Sequence, residues 1–295
     1  GSLARRHMPA RLATPMRRME ALSELRVVTG NDATLLIDGE AAFEAMFAAI
    51  DGAERYLLVQ FYILRDDGLG RRFAERLKAA AKRGVAVRLL YDPLGSFALS
   101  RRYREDLRQG GVQVYEPRSL RGSRFRLRLN YRNHRKTLVA DGRVAFTGGL
   151  NVGDEYLGRG LPPLAPWRDT HLKVQGPLVA QLQLIFAEDW HYLTGEALID
   201  ALDWAPPAAP ADRTGILVPS GPADRLESGA LMVVALIAAA QRRVWIASPY
   251  FVPDGDVLSA LKLAALGGVE VRVLVPEAID HYAPWLAAFA YFDEV

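Results

Sequence analysis

The residues best suited to chemistry lie together in one short stretch, which runs from Asn133 to Glu155 and reads NHRKTLVADGRVAFTGGLNVGDE. His134 can serve as a nucleophile or as a general acid near neutral pH. Lys136 can hold a phosphate oxygen as a point charge, and Asn151 can donate to another oxygen. Backbone N–H groups of the Gly148-Gly149 turn could add further donors to an anion. The stretch therefore predicts histidine chemistry on a phosphate group.

Two strands and a tight turn are expected to position these groups. A strand over His134–Val139 would point His134 and Lys136 to the same side, because side chains alternate along a strand. Asp141-Gly142 is a hairpin turn signal, and Val144–Thr147 would be the return strand. Asp141 lies too far along the strand to share the His134 face, so its place in the turn favours a structural role.

A catalytic histidine needs a partner that fixes its tautomer, and Asp169 is the candidate for that role. Asp169 lies in a later predicted strand, Trp167–Val174, which also carries His171. His171 and His191 match no catalytic pattern, and we expect both to be packing or surface residues.

The composition excludes several classes of site. The chain has no cysteine among its 295 residues, which rules out disulfides, thiolate catalysis and cysteine-based zinc sites. The net charge of +3 is too small for a strongly basic nucleic-acid binder. Arginines nevertheless cluster at 121–135, and a predicted strand at 124–129 would place three of them on one face, as a solvated edge or as a basic binding face. No apolar run approaches the roughly 20 residues that span a bilayer.

Helix and strand patterns alternate along the chain, which predicts an α/β fold. The predicted helices are Glu40–Ile50, Gly70–Arg83, Arg101–Arg108 and Val179–Tyr192, and the predicted buried strands include Tyr56–Leu64 and Val85–Tyr91. Residues 1–22 are predicted to be a mobile basic arm. A first domain would cover 23–199, and a linker rich in proline and alanine would cover 200–215.

The pattern begins again after the linker. Gln60-Phe61-Tyr62-Ile63 aligns with Pro249-Tyr250-Phe251-Val252 at an offset of 189, and Gly84-Val85-Ala86-Val87 aligns with Gly268-Val269-Glu270-Val271 at an offset of 184. We interpret this repeat as a duplicated domain. A second copy of His134 would fall beyond Val295, so the second domain, 216–295, is expected to stop before its own catalytic stretch.

The run His134-Arg-Lys136-Thr-Leu-Val-Ala-Asp141, followed by Gly148-Gly149-Leu-Asn151, resembles the HKD signature of the phospholipase D superfamily. Further motifs resemble bacterial cardiolipin synthases: Phe61–Asp67, Asn130–Asn133, Gly153–Tyr156, Trp167–His171 and Ser248–Asp254. The resemblance covers almost everything from about residue 25 onward. It implies a phospholipase D-like α/β fold with a mixed β-sheet flanked by helices and two pseudo-repeated halves, the second incomplete.

The resemblance also implies a two-step phosphatidyl transfer. One HKD histidine attacks a phosphodiester to form a phosphohistidine, and the other protonates the leaving alcohol and then deprotonates the incoming one. Two phosphatidylglycerol molecules would yield cardiolipin and glycerol, with no metal or other cofactor. Carried over by position, the predicted catalytic residues are His134, Lys136, Asp141 and Asp169, and the predicted phosphate-binding residues are Lys136, Gly149 and Asn151.

The sequence departs from the family in a few places. Only one HKD stretch is present, and Gln60 stands where the family often has an acid. Many members begin with transmembrane helices, whereas the basic arm here suits an anionic leaflet. The expected partners are anionic phospholipid and a membrane surface, with a homodimer as a further assembly. The expected location is the bacterial inner membrane, on its cytoplasmic side or peripherally, with the present chain soluble.

Two alternatives stay open. A phosphodiesterase or nuclease could build its site in a homodimer, with one histidine from each subunit. The basic run from Arg124 to Lys136 would then follow a nucleic-acid backbone. Alternatively, the chain could bind phospholipid head groups without turnover.

Overall fold

A computed structural model of the chain describes residues 10–116, 133–159, 167–221, 224, 226–277 and 282–292. The helices are α1 (Ala10–Ser23), α2 (Asp38–Asp51), α3 (Gly68–Lys82), α4 (Arg101–Gln109), α5 (Leu178–Thr194), α6 (Ser228–Ala239), α7 (Gly255–Leu266) and α8 (Tyr282–Phe292). The strands are β1 (Val28–Ile37), β2 (Tyr56–Phe61), β3 (Ala86–Tyr91), β4 (Gln113–Tyr115), β5 (Thr137–Ala140), β6 (Val144–Gly148), β7 (Thr170–Gln175), β8 (Arg213–Gly215), β9 (Arg243–Ala247) and β10 (Glu270–Leu274). A short 3₁₀ helix covers Asp154–Leu157. The predicted arginine strand at 124–129 lies outside the described residues.

The chain divides into two compact units. Among the described residues, the large unit comprises 28–116, 133–159 and 167–217, and the small unit comprises 10–27, 218–221, 224, 226–277 and 282–292. The segment predicted as a linker, 200–215, lies within the large unit, since Leu202 is buried and β8 pairs with β1.

One mixed sheet of eight strands forms the centre of the large unit, in the order β4-β3-β2-β5-β6-β7-β1-β8. Strands β2, β3 and β4 pair in parallel, and every other neighbouring pair in this sheet is antiparallel. The parallel pairs are joined through helices, because parallel strands need a long crossover connection. The α/β fold with a mixed sheet, predicted above, is thereby confirmed.

Both faces of this sheet are covered, which explains the continuous apolar run of β2. Every residue of β2 is buried, as expected for a strand that packs on both sides. Leu57 and Val59 join a core with α2 and α3, whereas Tyr56 and Leu58 join a second core with α5. The stretch from Asn133 to Glu155 enters the sheet directly beside β2, since β5 is the antiparallel neighbour of β2.

Helix α3 shows how local sequence sets the element boundaries. Its N-cap is Asp67, whose carboxylate accepts the N–H of Gly70 at 2.9 Å. Beyond its last turn, Gly84 has φ +92°, a left-handed conformation that favours glycine. The predicted helix began two residues too late because the cap lies at Asp67 rather than next to Gly70.

The small unit contains a two-stranded parallel sheet of β9 and β10, which packs against α7 around Ile237, Phe251 and Leu261. It also contains α1, in the segment predicted to be a mobile arm. Met19 of α1 is 2% exposed, and Glu20 accepts the N–H of Val27 at 3.1 Å. Ala10–Ser23, within the predicted arm, therefore forms a helix, whereas the mobility of the arm stays a prediction. Among the described residues, no helix combines the length and apolar character needed to cross a bilayer.

The internal repeat is present in the structure. The order β2-α3-β3 in the large unit recurs as β9-α7-β10 in the small unit, with both strand pairs parallel. The pairing sets β9 at 243 − 56 = 187 residues after β2, and β10 at 270 − 86 = 184 residues after β3. The predicted offset of 184 is confirmed, and the offset of 189 is two residues too long because it matched letters rather than strand register.

Candidate active site

His134 and Lys136 lie in direct contact. Lys136 Nζ is 2.9 Å from Nδ1 and 3.2 Å from Nε2 of His134, and it donates to His134 O at 2.8 Å. The prediction that the two side chains share one side is confirmed. The predicted strand began too early, however, since β5 starts at Thr137.

Asp189 on α5 holds the alternate residues of the same segment from the opposite side. Asn133 Nδ2 donates to its carboxylate at 2.6 Å, and Arg135 Nη1 lies 2.8 and 2.7 Å from its two oxygens. Gln60 Nε2 on β2 donates to the same carboxylate at 2.9 Å. An amide at position 60 therefore complements an acid on α5, which gives the departure at Gln60 a structural role. Asp189 was not predicted from the sequence, where its one signal was a carboxylate in a largely apolar helix.

The Lys136 side chain is buried, with an exposed fraction of 3%. Burial lowers its pKa from 10.5 to about 7, and the negative charge of Asp169 works in the opposite direction. The ammonium is therefore poised to lose or gain its proton near neutral pH. An anion bound beside Lys136 would stabilise its charged form, and the charged form would in turn bind the anion more tightly than the neutral amine does.

His134 remains exposed to solvent in front of this lysine. The surrounding protein lowers the pKa of His134 by desolvation, and the Lys136 charge lowers it further, while Asp92 raises it. The neutral imidazole is thus the favoured form near neutral pH, and a neutral ring nitrogen carries the lone pair that a nucleophile needs.

Tyr62, directly after β2, packs against both groups. Its ring centroid lies 4.4 Å from that of His134, with the planes inclined by 56°, and Lys136 Nζ lies 5.5 Å from the same centroid. An ammonium near an aromatic face is attracted by the negative face of the ring. Tyr62 therefore restricts the orientation of the His134 ring and partly offsets the burial of Lys136.

The loop after β3 fixes Tyr62 from behind. The Asp92 carboxylate accepts the N–H groups of Leu94 and Gly95 at 2.8 and 3.1 Å. Ser96 Oγ donates to Tyr62 O at 3.1 Å, and a Cβ atom at Gly95 would collide with that same carbonyl. This loop thus brings Asp92 and Tyr62 to the His134 side of the site. Neither residue was predicted to act at the site, although Asp92-Pro93 directly follows the predicted strand Val85–Tyr91.

Asp141 lies in a turn, where its carboxylate binds backbone N–H groups. It has φ +53° in the turn between β5 and β6. Its carboxylate accepts the N–H groups of Glu54, Arg55 and Tyr56, each at 2.8 Å. These three bonds tie the hairpin to the start of β2. Asp141 therefore acts on the site by fixing the strands that carry it.

Asp169 lies against the Gly148-Gly149 turn. Its carboxylate accepts the N–H of Thr170 at 2.7 Å and Trp167 Nε1–H at 3.3 Å. A Cβ atom on Gly149 would collide with this carboxylate, so the close approach requires glycine. The Gly149 N–H, predicted to face a phosphate, donates instead to Thr170 O at 3.1 Å. The role of Asp169 in orienting His134 stays a prediction, since the carboxylate that raises the pKa of His134 is Asp92.

Asn151 is buried, and its side chain is engaged at both ends. Its Oδ1 accepts the N–H of Ile63 at 2.9 Å, and its Nδ2 donates to the hydroxyl of Tyr156 at 3.0 Å. These contacts hold the end of β2 next to the turn after β6. The amide nitrogen carries two hydrogens, and the bond to Tyr156 uses one of them. The other hydrogen could donate to a phosphate, so phosphate binding by Asn151 remains a prediction.

His171 lies in the same part of the sheet, although its sequence pattern predicted no catalytic role and placed it only at the end of the Trp167–His171 motif. It is 0% exposed, and burial together with the Lys136 charge lowers its pKa to about 4. The sequence showed only a histidine in a strand, which usually packs. Within the described ranges, no cluster of three or more His, Asp or Glu side chains is arranged to hold a metal ion.

Comparisons with known proteins identify the family of this chain. Residues 46–190 and 233–295 match the family model described as cardiolipin synthase, phospholipase D-like domain. Cardiolipin synthase A of Pseudomonas aeruginosa (strain LESB58) is 50% identical over 264 residues, which cover 90% of this chain and 53% of that protein. Cardiolipin synthase A of Pseudomonas fluorescens (strain SBW25) is 48% identical over 279 residues, which cover 94% of this chain and 57% of that protein. The chain thus spans about half the length of the curated relatives it matches.

A solved structure shares the fold. The phosphatidylserine synthase of Haemophilus influenzae Rd KW20 superposes with a TM-score of 0.58 at 12% identity, covering 88% of this chain and 65% of that chain. The family match extends over both β-α-β repeats and includes the whole stretch from Asn133 to Glu155. The chain therefore belongs to the family of phospholipase D-like domains of cardiolipin synthases.

Proposed function

We propose that this chain forms part of a cardiolipin synthase-type phosphatidyltransferase in which His134 is the nucleophile. The observation that carries the proposal is the exposed, neutral His134 with the buried Lys136 ammonium in contact behind it. A nucleophile and a fixed cation at one point suit attack on an anionic phosphodiester. The relatives named cardiolipin synthase A support phosphatidylglycerol as the substrate and a membrane surface as the place where it is met.

The first step joins His134 to phosphorus. One ring nitrogen attacks the phosphodiester, an N–P bond forms, the P–O bond to the leaving alcohol breaks, and a proton passes to the leaving oxygen. In the second step, the acceptor hydroxyl attacks phosphorus and gives its proton to a base, and the N–P bond breaks. The sequence carries one H-x-K-x₄-D stretch. In a scheme with two HKD histidines, the second histidine would then come from a second H-x-K-x₄-D stretch that is not among these 295 residues.

Lys136 would bind the phosphate group and stabilise the charge that develops on it. In the present geometry its ammonium lies on the ring nitrogens of His134. Attack by His134 requires that a phosphate oxygen draw the ammonium away from the ring. The bound anion would also restore the full charge of a lysine whose pKa burial has lowered to about 7.

Tyr62, Asp92 and Asp169 would position these two groups. Tyr62 restrains the His134 ring, and Asp92 favours the imidazolium form that arises when the ring takes a proton. Asp169 supports the ammonium of Lys136 by its charge. Asp141 and Asp189 would contribute through the backbone and the neighbouring side chains that they hold.

The β9-α7-β10 repeat extends the proposal to the small unit. Its order and parallel pairing match β2-α3-β3 beside the catalytic stretch. We therefore assign it to a second phospholipase D-like domain.

Trapping the covalent intermediate tests the proposal. The chain is mixed with vesicles of phosphatidylglycerol labelled at phosphorus, and the reaction is stopped in alkali, which preserves N–P bonds. We expect label on His134 in the wild type and none in His134→Ala. The control His191→Ala changes an exposed histidine of α5 and should label normally. Lys136→Met should slow labelling by about 10²- to 10³-fold.

Label on another residue, or none on the wild type at any substrate concentration, would reject the assignment of His134. Cardiolipin formation is then followed by mass spectrometry of the extracted lipids. Phosphatidic acid and glycerol without cardiolipin would indicate hydrolysis and would reject the transferase assignment.

A further inference from the structure

His171 is a fully buried histidine that the scheme above does not use. Its exposed fraction is 0%, and neither ring nitrogen has a hydrogen-bond partner among the described residues. Leaving a buried polar group unpaired costs stability, and most buried polar groups are paired for that reason. An apolar residue would pack in such a place at lower cost, so the imidazole requires a reason.

The position of His171 in the sheet places it next to the catalytic stretch. His171 on β7 pairs with Gly148 on β6, and Thr137 on β5 pairs with Thr147. Continuing the β5–β6 register by one residue places Lys136 opposite Gly148. Lys136, Gly148 and His171 therefore form one row across three strands.

The middle residue of this row has no side chain, so the two outer ones can approach each other. A Cβ atom on Gly148 would lie 2.7 Å from His171 Nδ1, which shows that the imidazole leans over the glycine. Leu36, Leu138 and Phe146, which share the face of this row, belong to one core cluster. Lys136 and His171 thus point into the same side of the sheet.

The electrostatics agree with this proximity. Burial first, and the Lys136 charge second, lower the pKa of His171 to about 4. The ring is neutral at neutral pH, and a neutral imidazole keeps one nitrogen as a hydrogen-bond acceptor. Such an acceptor can serve an ammonium without taking its proton.

Lys136 lacks such an acceptor once substrate is bound. An ammonium has three N–H donors, and an exposed fraction of 3% leaves little room for water. One donor reaches His134 O at 2.8 Å. The ring nitrogens of His134 must be vacated for attack, so a second donor would turn to the phosphate oxygen. The third donor is then left over.

We infer that His171 is a positioning residue that accepts this third N–H of Lys136 when a phosphate group occupies the site. The inference deepens the proposed function and rests on it. His171 would thereby keep the lysine charged and aimed at the phosphate. The strand row and the unpaired ring nitrogens together carry it.

Other charged and polar groups that act on Lys136 are His134, Tyr62 and Asp169, and Asp92 acts on His134. Both Asp169 oxygens already accept N–H groups, from Thr170 and Trp167. All of these groups stay in place when His171 is replaced. A change in the titration of Lys136 would then report the loss of the His171 acceptor.

The test uses the full chain and sulfate as the probe, because the charge of sulfate is constant near neutral pH. Sulfate affinity is measured by calorimetry against pH for the wild type, His171→Leu, His171→Asn and the control His191→Leu. Removing an acceptor from the ammonium favours the neutral amine and lowers the pKa of Lys136. In His171→Leu, sulfate should therefore bind about tenfold more weakly while Lys136 is charged, and the pH above which bound sulfate is released should move down by about one unit.

The other variants separate positioning from packing. His171→Asn retains an acceptor and should bind sulfate nearly as the wild type does, as should His191→Leu. The thermal midpoint of His171→Leu should equal or exceed that of the wild type, since an unpaired buried group is gone. Unchanged affinity and unchanged pH limit in His171→Leu would overturn the inference and leave His171 as a packing residue.

A measurement on the wild type alone covers the case in which His171→Leu does not fold. The ¹⁵N shifts of the His171 ring are followed by NMR as sulfate is added. A new hydrogen bond at the acceptor nitrogen should move its resonance upfield, whereas an unmoved resonance would overturn the inference. Failure of lipid transfer together with these sulfate results would reject the proposed function and leave the role of His171 toward an anion intact.

Discussion

The two β-α-β repeats have the same plan and very different surroundings. In each, an aspartate caps the connecting helix: Asp67 accepts the N–H of Gly70 in α3, and Asp254 accepts the N–H of Val257 in α7. A left-handed glycine follows each helix, Gly84 with φ +92° and Gly268 with φ +86°. Yet β2 is buried at every residue, whereas β9 alternates between exposed and half-buried residues.

The difference shows what one repeat can build by itself. A helix covers the face of the strand pair on which it packs, so β9 buries its α7 side and exposes Arg243, Trp245 and Ala247 on the other. In the large unit, α5 covers that second face and supplies Asp189, which holds the segment before β5. The stretch from Asn133 to Glu155 thus depends on packing from both sides of the sheet, which the repeat alone does not provide.

The largest difference in stability between the two units is expected in acid. Burial lowers the pKa of His171 from 6.5 to about 4. Between these values the unfolded chain binds a proton that the folded large unit does not, so stability falls as the pH drops from about 6.5 to about 4. The full effect would be on the order of 3 kcal/mol. His134, whose pKa is also lowered, acts in the same direction.

Urea unfolding at several pH values, followed by hydrogen exchange of β7 and β10, would measure this effect. In the small unit, Asp224 has a lowered pKa, so its contribution is lost only at pH below its ordinary 3.8. His171→Leu should remove most of the loss in the large unit between pH 6.5 and 4 and leave β10 unchanged. An equal acid response in wild type and variant would show that His171 does not titrate in this window.

A matched pair of valines tests the difference in packing. Val87 and Val271 occupy equivalent places, paired with Leu57 and Val244 respectively. Val87 is 1% exposed, whereas Val271 is half-buried. We expect Val87→Ala to cost about 2–3 kcal/mol and Val271→Ala about 1 kcal/mol, because only the first leaves a closed cavity. Hydrogen exchange of β3 and β10 would report each loss, and equal losses would contradict the comparison.

The sequence predicted most of what depends on local periodicity. Alternation in the catalytic stretch placed His134 and Lys136 together correctly, although the segment has no ladder partner before Thr137. The continuous apolar run of β2 likewise predicted a buried strand, and the repeated sequence motifs predicted that the strand-helix-strand order occurs twice. These signals are short-range, so a single sequence contains them.

What the sequence did not predict depends on contacts between distant residues. Asp189 and Asp92 reach the site from elements that lie far from His134 along the chain. The Trp167–His171 motif did not reveal that strand register places His171 beside Gly148. The Gly149 N–H was expected to face an anion, and the β6–β7 pairing uses it instead. Each of these outcomes is set by tertiary pairing, which residue types alone do not encode.

Removing the helix cap should also cost more stability in the large unit than in the small unit, although the effects are smaller than those of the valine substitutions. Asp67 caps α3 and also accepts the N–H of Asp154 at 2.7 Å, which fixes the 3₁₀ helix after β6. Asp254 is exposed, and the one hydrogen bond that its carboxylate makes among the described residues is the cap bond to Val257 within α7. We expect Asp67→Ala to cost about 2 kcal/mol and Asp254→Ala about 1 kcal/mol. Thermal unfolding measures both, and a larger loss in Asp254→Ala would reverse the argument.

The smallest effect on stability is expected at Trp245, on the open face of β9. Trp245 is 57% exposed, and the guanidinium groups of Arg243 and Arg272 lie 4.6 and 5.2 Å from its ring centroid. Its counterpart by strand register is Leu58 of β2, which is 0% exposed. Trp245→Thr should therefore change the stability by no more than about 0.5 kcal/mol, whereas Leu58→Thr should destabilise the large unit by several times that amount.

The same substitution tests whether the face is open in solution. Trp245 and Leu274, which is 71% exposed, lie on the same open face of the strand pair, and exposed apolar side chains favour self-association. Light scattering over a range of protein concentrations should show less association for Trp245→Thr than for the wild type. A stability loss at Trp245 as large as that at Leu58, with association unchanged, would mean that other residues cover this face. The two repeats would then differ in sequence and in the identity of the covering element, but not in burial.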